Sequence, residues 1–257
     1  MIKKQLITCS VIFVLAVILG LNICGTTAMT PANKSGNFTS NLIFTKQPVE
    51  TTYSFANEAM PVNDASINRK MSRTLLHHDF KNVQSNILQI KAEKLFPIIE
   101  PILRLYGIPD DFKYLPLVES GLKEGTSAKG AAGLWQFMPG TARTYGLKVS
   151  KGVDERKNIR KSTIAACKYI KELYGEFNSW TLAAAAYNNG SIKLAKAMRE
   201  NKQSKGNYFR MHLNRETGSY VYNLIAMKAI IAQPEKYGFN GLYACVATPS
   251  KQLLSYN

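Results

Sequence analysis

Histidine, cysteine and acidic residues are all scarce in this chain. Three His and four Cys are spread over 257 residues, with no Cys-x-x-Cys and no His-x-x-x-His pair. That spacing argues against a metal site, and no metal or cofactor is expected. Cys9 and Cys24 fall in the N-terminal apolar run, which leaves Cys167 and Cys245. The two can pair in an exported chain, but Cys167 lies on a helical pattern and reads equally well as a small buried apolar residue. No segment alternates apolar and polar residues as a half-buried strand does, and no internal repeat is visible. Acids number 17 against 33 Lys and Arg, a formal net charge of +16. A charge that large favours polyanionic surroundings such as nucleic acid, anionic lipid or acidic wall polymer. The basic residues are scattered, with no nucleic-acid recognition motif, so no nucleic-acid partner is expected.

What is present starts with an export signal. Lys3 and Lys4 precede an apolar run from Leu6 to Ile23, and the small residues Gly25 to Ala28 follow. Residues 1–28 thus read as a signal peptide cleaved after Ala28 or as a retained membrane anchor, since the run is long for a signal and close to a span. Bulky Ile23 stands before Cys24, where a lipoprotein signal carries a small residue. Either way the bulk of the chain is exported, to the periplasm or cell envelope. Residues 29–75, rich in Thr, Ser, Asn and Pro in their first part, read as a low-order spacer.

From there to residue 240 the patterning is helical, and 241–257 is a short tail. Hydrophobic residues make up 46% of the chain, enough for a sizeable core. Phe80, Val83, Ile87 and Ile90 share one helix face. Pro97 fits a first helical turn, which predicts a second helix to Tyr106, stopped by Gly107. Pro109-Asp110-Asp111 starts a third, ending near Gly121. A helix over Ser162–Tyr174 is expected to stop at Gly175. Ser179 caps another, whose Ala183–Ala186 run marks a central buried helix, and a last helix opens at Glu216 and ends before Pro234.

Chemistry concentrates in a few residues. Glu119 ends the apolar run Leu115–Val118 and is the only acid between Asp111 and Glu124. Packing of those apolar neighbours desolvates its carboxyl, which raises the pKa. A carboxyl still protonated near neutral pH is what a general acid requires. The plainer alternative is a Glu that caps a helix end or pairs with Lys. Residues 125–133 are small and read as a linker or as a place of close approach. Trp135, Phe137 and Met138 offer apolar surface, either as core or as a sugar-stacking wall. Tyr187, Asn188 and Asn189 bring hydroxyl and amide groups to a helix end.

The run Leu115-Pro116-Leu117-Val118-Glu119-Ser120-Gly121, followed by Gly133-Leu134-Trp135-Gln136-Phe137-Met138-Pro139 and Ala185-Ala186-Tyr187-Asn188-Asn189-Gly190, resembles the lytic transglycosylase family, in particular its membrane-bound lytic murein transglycosylase D type. The resemblance covers about residues 80 to 235. It implies an all-α, lysozyme-like catalytic domain with a groove for a peptidoglycan glycan strand. It further implies that Glu119 is catalytic, with Ser127 hydrogen-bonding near it. Gln136, Met138, Tyr187 and Asn188 would contact the sugars, and Glu216 and Tyr220 would line the cleft beside the acid. The implied reaction cleaves the β-1,4 bond between N-acetylmuramic acid and N-acetylglucosamine and leaves a 1,6-anhydro end. The residues alone fit a goose-type lysozyme-like hydrolase equally well, and a wall-binding protein without activity is the non-enzymatic alternative. A monomer is expected, with an anionic membrane or wall surface as a further partner.

Overall fold

The computed structural model describes residues 52–83, 86–120 and 125–239. Residues 1–28, the first part of the expected spacer, the tail and Cys245 lie outside them. The described part is all-α apart from two minimal hairpins, β1 (Ser54–Phe55) with β2 (Glu58–Ala59) and β3 (Val149–Ser150) with β4 (Val153–Asp154). None of its helices is long and apolar enough to cross a membrane.

The later part of the expected spacer is ordered, which corrects that expectation. Ala56 and Asn57, at φ 51° and 65°, form a two-residue turn that lets β1 and β2 pair. Polar groups then fix the hairpin to distant parts of the chain. The Ala56 N–H donates to Asp111 Oδ2 at 2.7 Å, and Lys228 Nζ donates to the same oxygen at 2.7 Å. Helix α1 (Ala65–His78) follows, its first N–H groups capped by the Asp64 carboxylate. Ile67, Met71 and Thr74 form its buried stripe, and it packs along the last helix.

The single helix expected across residues 80–90 is divided between α2 (Phe80–Val83) and α3 (Ile87–Leu105). Helix α3 runs straight through Pro97 and Pro101, so the predicted start at Pro97 is also corrected. Each proline forgoes one hydrogen bond to the preceding turn, but Ile99 and Leu103 are fully buried and α3 packs against α6. Tertiary burial outweighs the missing bonds. A 3₁₀ turn (Asp110–Tyr114) leads into the short α4 (Leu115–Glu119), and α5 (Pro139–Thr144) follows the loop.

Helix α6 (Ile159–Phe177) continues past Gly175, where a stop was expected. Gly175 sits on the exposed side, and Ile170 and Leu173 hold the buried face. The helix ends instead at Asn178, left-handed at φ 49°, whose N–H bonds the Tyr174 carbonyl. Helix α7 (Trp180–Asn189) is the central one, with Ala183 to Ala186 all fully buried between α6 and the last helix. Four alanines permit that close approach from two sides. Its N-terminus is capped twice. Ser179 Oγ accepts from the Leu182 N–H, and the Glu58 carboxylate of β2 accepts from the Trp180 and Thr181 N–H groups and both hydroxyls nearby. Helices α8 (Ser191–Glu200) and α9 (Arg215–Ala232) complete the bundle. Cys167 is a free thiol buried in the core.

Candidate active site

Glu119 is the last residue of α4, whose Leu115, Pro116 and Leu117 are buried. Those three anchor the helix and leave Glu119, half-buried, at the edge of a cleft of about 640 Å³. Tyr220 of α9 reaches across from the far wall and donates its hydroxyl to Glu119 Oε1. The Glu119 carboxyl is pushed up to about 7. Burial away from water is the main cause; the Tyr220 hydroxyl opposes it by bonding the ionised form, and the charge of Glu216 adds to it. The Tyr220 phenol is itself raised well above its ordinary value by burial and by Glu119, so it stays a donor.

Two helix ends meet beside this pair. Asn188, near the end of α7, donates from Nδ2 to Glu216 Oε1 at 3.3 Å, and its Oδ1 accepts from the Thr217 hydroxyl at 3.2 Å. The first turn of α9 is fixed by Asn214, whose Oδ1 accepts from the Thr217 N–H. Glu216 is exposed, so the cleft holds one desolvated carboxyl and one open to water. Thr74 and His77 of α1 also line the cleft. Neither these nor Asn223 of α9 was expected from the sequence: Thr74 fell in the expected spacer, and neither His77 nor Asn223 belongs to a motif that marks it. The signal was there in the spacing of Ile67, Met71 and Thr74 after the capping residue Asp64.

The other expected site residues lie off this cleft's lining. Ser127 closes a tight turn: its N–H donates to the Ala131 carbonyl at 2.7 Å and its hydroxyl accepts from the Ala131 N–H at 3.0 Å. Gln136 adopts φ 47°, with Nε2 donating to the Gly133 carbonyl at 2.7 Å. Tyr187 donates its hydroxyl to the Trp135 carbonyl at 2.8 Å and packs edge-on against Phe137. Of the aromatic stretch, Trp135 is fully buried with its Nε1 bonded to Thr163, and Phe137 is buried too. They are core, not an exposed wall; Met138, 44% exposed, is the one of the three that faces solvent.

The loop from Gly125 to Phe137 is not a linker. Arg156, 6% exposed, grips Asp154 with Nε and Nη2, both at 2.8 Å. Its Nη1 donates to the carbonyls of Gly130 and Phe137 at 2.7 and 2.9 Å, one at each side of the loop's tip. Gly133, at φ 75°, lies so close that a Cβ there would stand 1.9 Å from the Arg156 carbonyl oxygen. Among the described residues no group of three or more His, Cys, Asp or Glu is placed to hold a metal ion.

Residues 97–210 match the profile of the Transglycosylase SLT domain. Over 153 residues the chain is 33% identical to the membrane-bound lytic murein transglycosylase D of Escherichia coli K12, which covers 58% of this chain and 34% of that protein. It is 34% identical over 116 residues to the peptidoglycan transglycosylase gp16 of Escherichia phage T7, 44% of this chain and 9% of that one. The crystal structure of the 70 kDa soluble lytic transglycosylase from Escherichia coli aligns at a TM-score of 0.44 with 20% identity, over 66% of this chain and 30% of that one. The chain thus spans about a third of the length of the curated relatives it matches first. The matched segment contains Glu119, Tyr187 and Asn188, while α1 and α9 supply the remaining walls of the cleft from outside it. Residues 97–210 of this chain, the part that carries Glu119 into the cleft, are thus similar to the transglycosylase SLT domain.

Proposed function

We propose that the chain is a peptidoglycan lytic transglycosylase that cleaves the β-1,4 bond between N-acetylmuramic acid and N-acetylglucosamine. The observation that carries this reading is the desolvated Glu119 carboxyl, titrating at about 7 and bonded by Tyr220 at the edge of an open cleft. A group with that pKa holds a proton to give and, once ionised, takes one back at the same pH. Glu119 first protonates the leaving glycosidic oxygen, and the C1–O bond breaks. The neighbouring N-acetyl group of the substrate stabilises the cationic sugar. Ionised Glu119 then removes the proton of the muramic C6 hydroxyl, and that oxygen bonds C1. The product ends in 1,6-anhydro muramic acid, and no water is consumed. Tyr220 holds the carboxylate between the two steps. Asn188 and Glu216 border the sugar path, while Gln136, Met138, Tyr187 and Ser127 supply or support its further wall. On this reading the chain works as a monomer in the cell envelope, facing the periplasm, held near the membrane or wall surface through its N-terminal segment and positive charge.

Glu216 gives a second reading its one specific support. A second, water-exposed carboxylate lining the same cleft as a desolvated carboxyl acid would suit a hydrolase that activates water. Product mass separates the two after incubation with purified peptidoglycan. Anhydro ends are lighter by one water than reducing ends. Reducing ends would assign hydrolysis, with Glu216 as base. Binding without any product would remove the enzymatic reading.

A further inference from the structure

A second pocket, of about 670 Å³, lies between α3 and the Gly125–Leu134 loop, apart from the catalytic cleft. Helix α3 is apolar beyond what the core uses. Leu88, Ala92, Ile99 and Leu103 form its buried stripe, yet Ile90, Leu95 and Ile98 line this pocket and are only half-buried. Leu134 and Ile159 face them from the loop and from the start of α6. A partly exposed aliphatic pocket of this size is what small-ligand sites are made of. The charged residues that line it among the described residues are basic. Lys91, Lys94 and Lys157 line it, and no acidic residue does so among the described residues. Lys94 and Lys157 are exposed at its mouth, and neither takes part in an ion pair among the described residues. A ligand that buries apolar length against these aliphatic side chains while leaving charge at a lysine-lined mouth must be amphipathic and anionic.

We propose that this pocket binds one aliphatic chain ending in an anionic head group, phosphate or carboxylate, with the chain against Ile90, Ile98 and Leu134 and the head at Lys94 and Lys157. The site stands on its own geometry and does not depend on the peptidoglycan reading. It does bear on the catalytic loop, because Ser120 follows Glu119 and Leu134 precedes the buried Trp135. A bilayer lipid and a free amphiphile share this chemistry, and the test separates them.

Calorimetric titration of the full chain with dodecyl phosphate, below its micelle concentration, is expected to saturate at one molecule per chain. Dodecyltrimethylammonium, with the same tail and the opposite head, is expected to bind at least about tenfold more weakly. The exposed changes Lys94→Glu with Lys157→Glu, and separately Ile90→Glu, should each weaken dodecyl phosphate by about tenfold or more at unchanged circular dichroism. The N-terminal apolar run is present in all of these proteins, so a difference among them belongs to the pocket. Sedimentation with phosphatidylglycerol vesicles identifies the source. Loss of vesicle binding in the same variants assigns a bilayer lipid, and unchanged vesicle binding assigns a free amphiphile. Equal binding of both head groups, no saturable binding of dodecyl phosphate, or indifference to all three changes would overturn the proposal.

Discussion

Replacing Glu119 by Gln should make the protein inactive and, at alkaline pH only, more stable. Gln keeps the shape and an acceptor for the Tyr220 hydroxyl but cannot ionise. In the folded protein Glu119 titrates at about 7 instead of its ordinary 4.5. Below the lower value the carboxyl is protonated in both folded and unfolded chains, and it costs nothing. Between the two values the unfolded chain ionises while the folded one keeps its proton, so stability falls as pH rises. Above the higher value both are ionised, and the folded state carries the full cost, about 3 kcal/mol. Gln escapes that cost. The variant should therefore gain up to about 3 kcal/mol at about pH 8.5 and nothing at about pH 4, a rise in melting temperature of roughly 6–12 °C at the alkaline end. Thermal unfolding of both proteins by circular dichroism at the two pH values measures this directly. Under the proposed function, the native protein's rate on peptidoglycan should also fall as pH rises through about 7, because the proton to be donated is gone. An equal effect of the substitution at both pH values would place Glu119 in the ordinary carboxylate range, and the general-acid argument would fail with it.

Tyr220→Phe removes the donor that favours ionised Glu119. The alkaline limb of the pH–rate profile should move to higher pH while the rate drops; an unmoved limb would mean that this hydroxyl does not tune the acid. Gly133→Ala drives a Cβ into the Arg156 carbonyl and strains a φ of 75°, so the loop must shift. Chemical denaturation should register a loss of more than about 1 kcal/mol, with KM for glycan raised more than kcat is lowered, and wild-type values would show that the loop does not shape the substrate path. Glu58→Gln weakens the cap that β2 places on α7. It should lower stability by roughly 1–3 kcal/mol, as should deletion of residues before 65, and a neutral outcome would mean that the hairpin is not part of the catalytic unit.

Much of this protein was legible in its sequence because the deciding forces are local. The apolar run before Glu119, the Ser179 cap and the four alanines specify helices from short-range pattern alone, and the apolar run marks Glu119 as the carboxyl to examine. The motifs around Glu119, Gln136 and Tyr187 carry the likeness to the transglycosylase SLT domain. Where local rules failed, a distant contact outweighed them. Pro97 and Pro101 did not end α3 and Gly175 did not end α6, since burial of one face exceeds the cost of a missing bond or a flexible residue. Trp135 reads equally as platform or core until Thr163 and the packed helices enclose it. Residues 52–75 looked like spacer because the partners of their hairpin, Asp111, Lys228 and the start of α7, lie over 50 residues away in sequence. The sequence by itself determined the all-α class and singled out Glu119 as the candidate acid. Only the tertiary structure decided what surrounds that acid: burial of a carboxyl, the reach of Tyr220 from α9 and the nearness of Glu216 are distances between separate helices, and no local pattern encodes them.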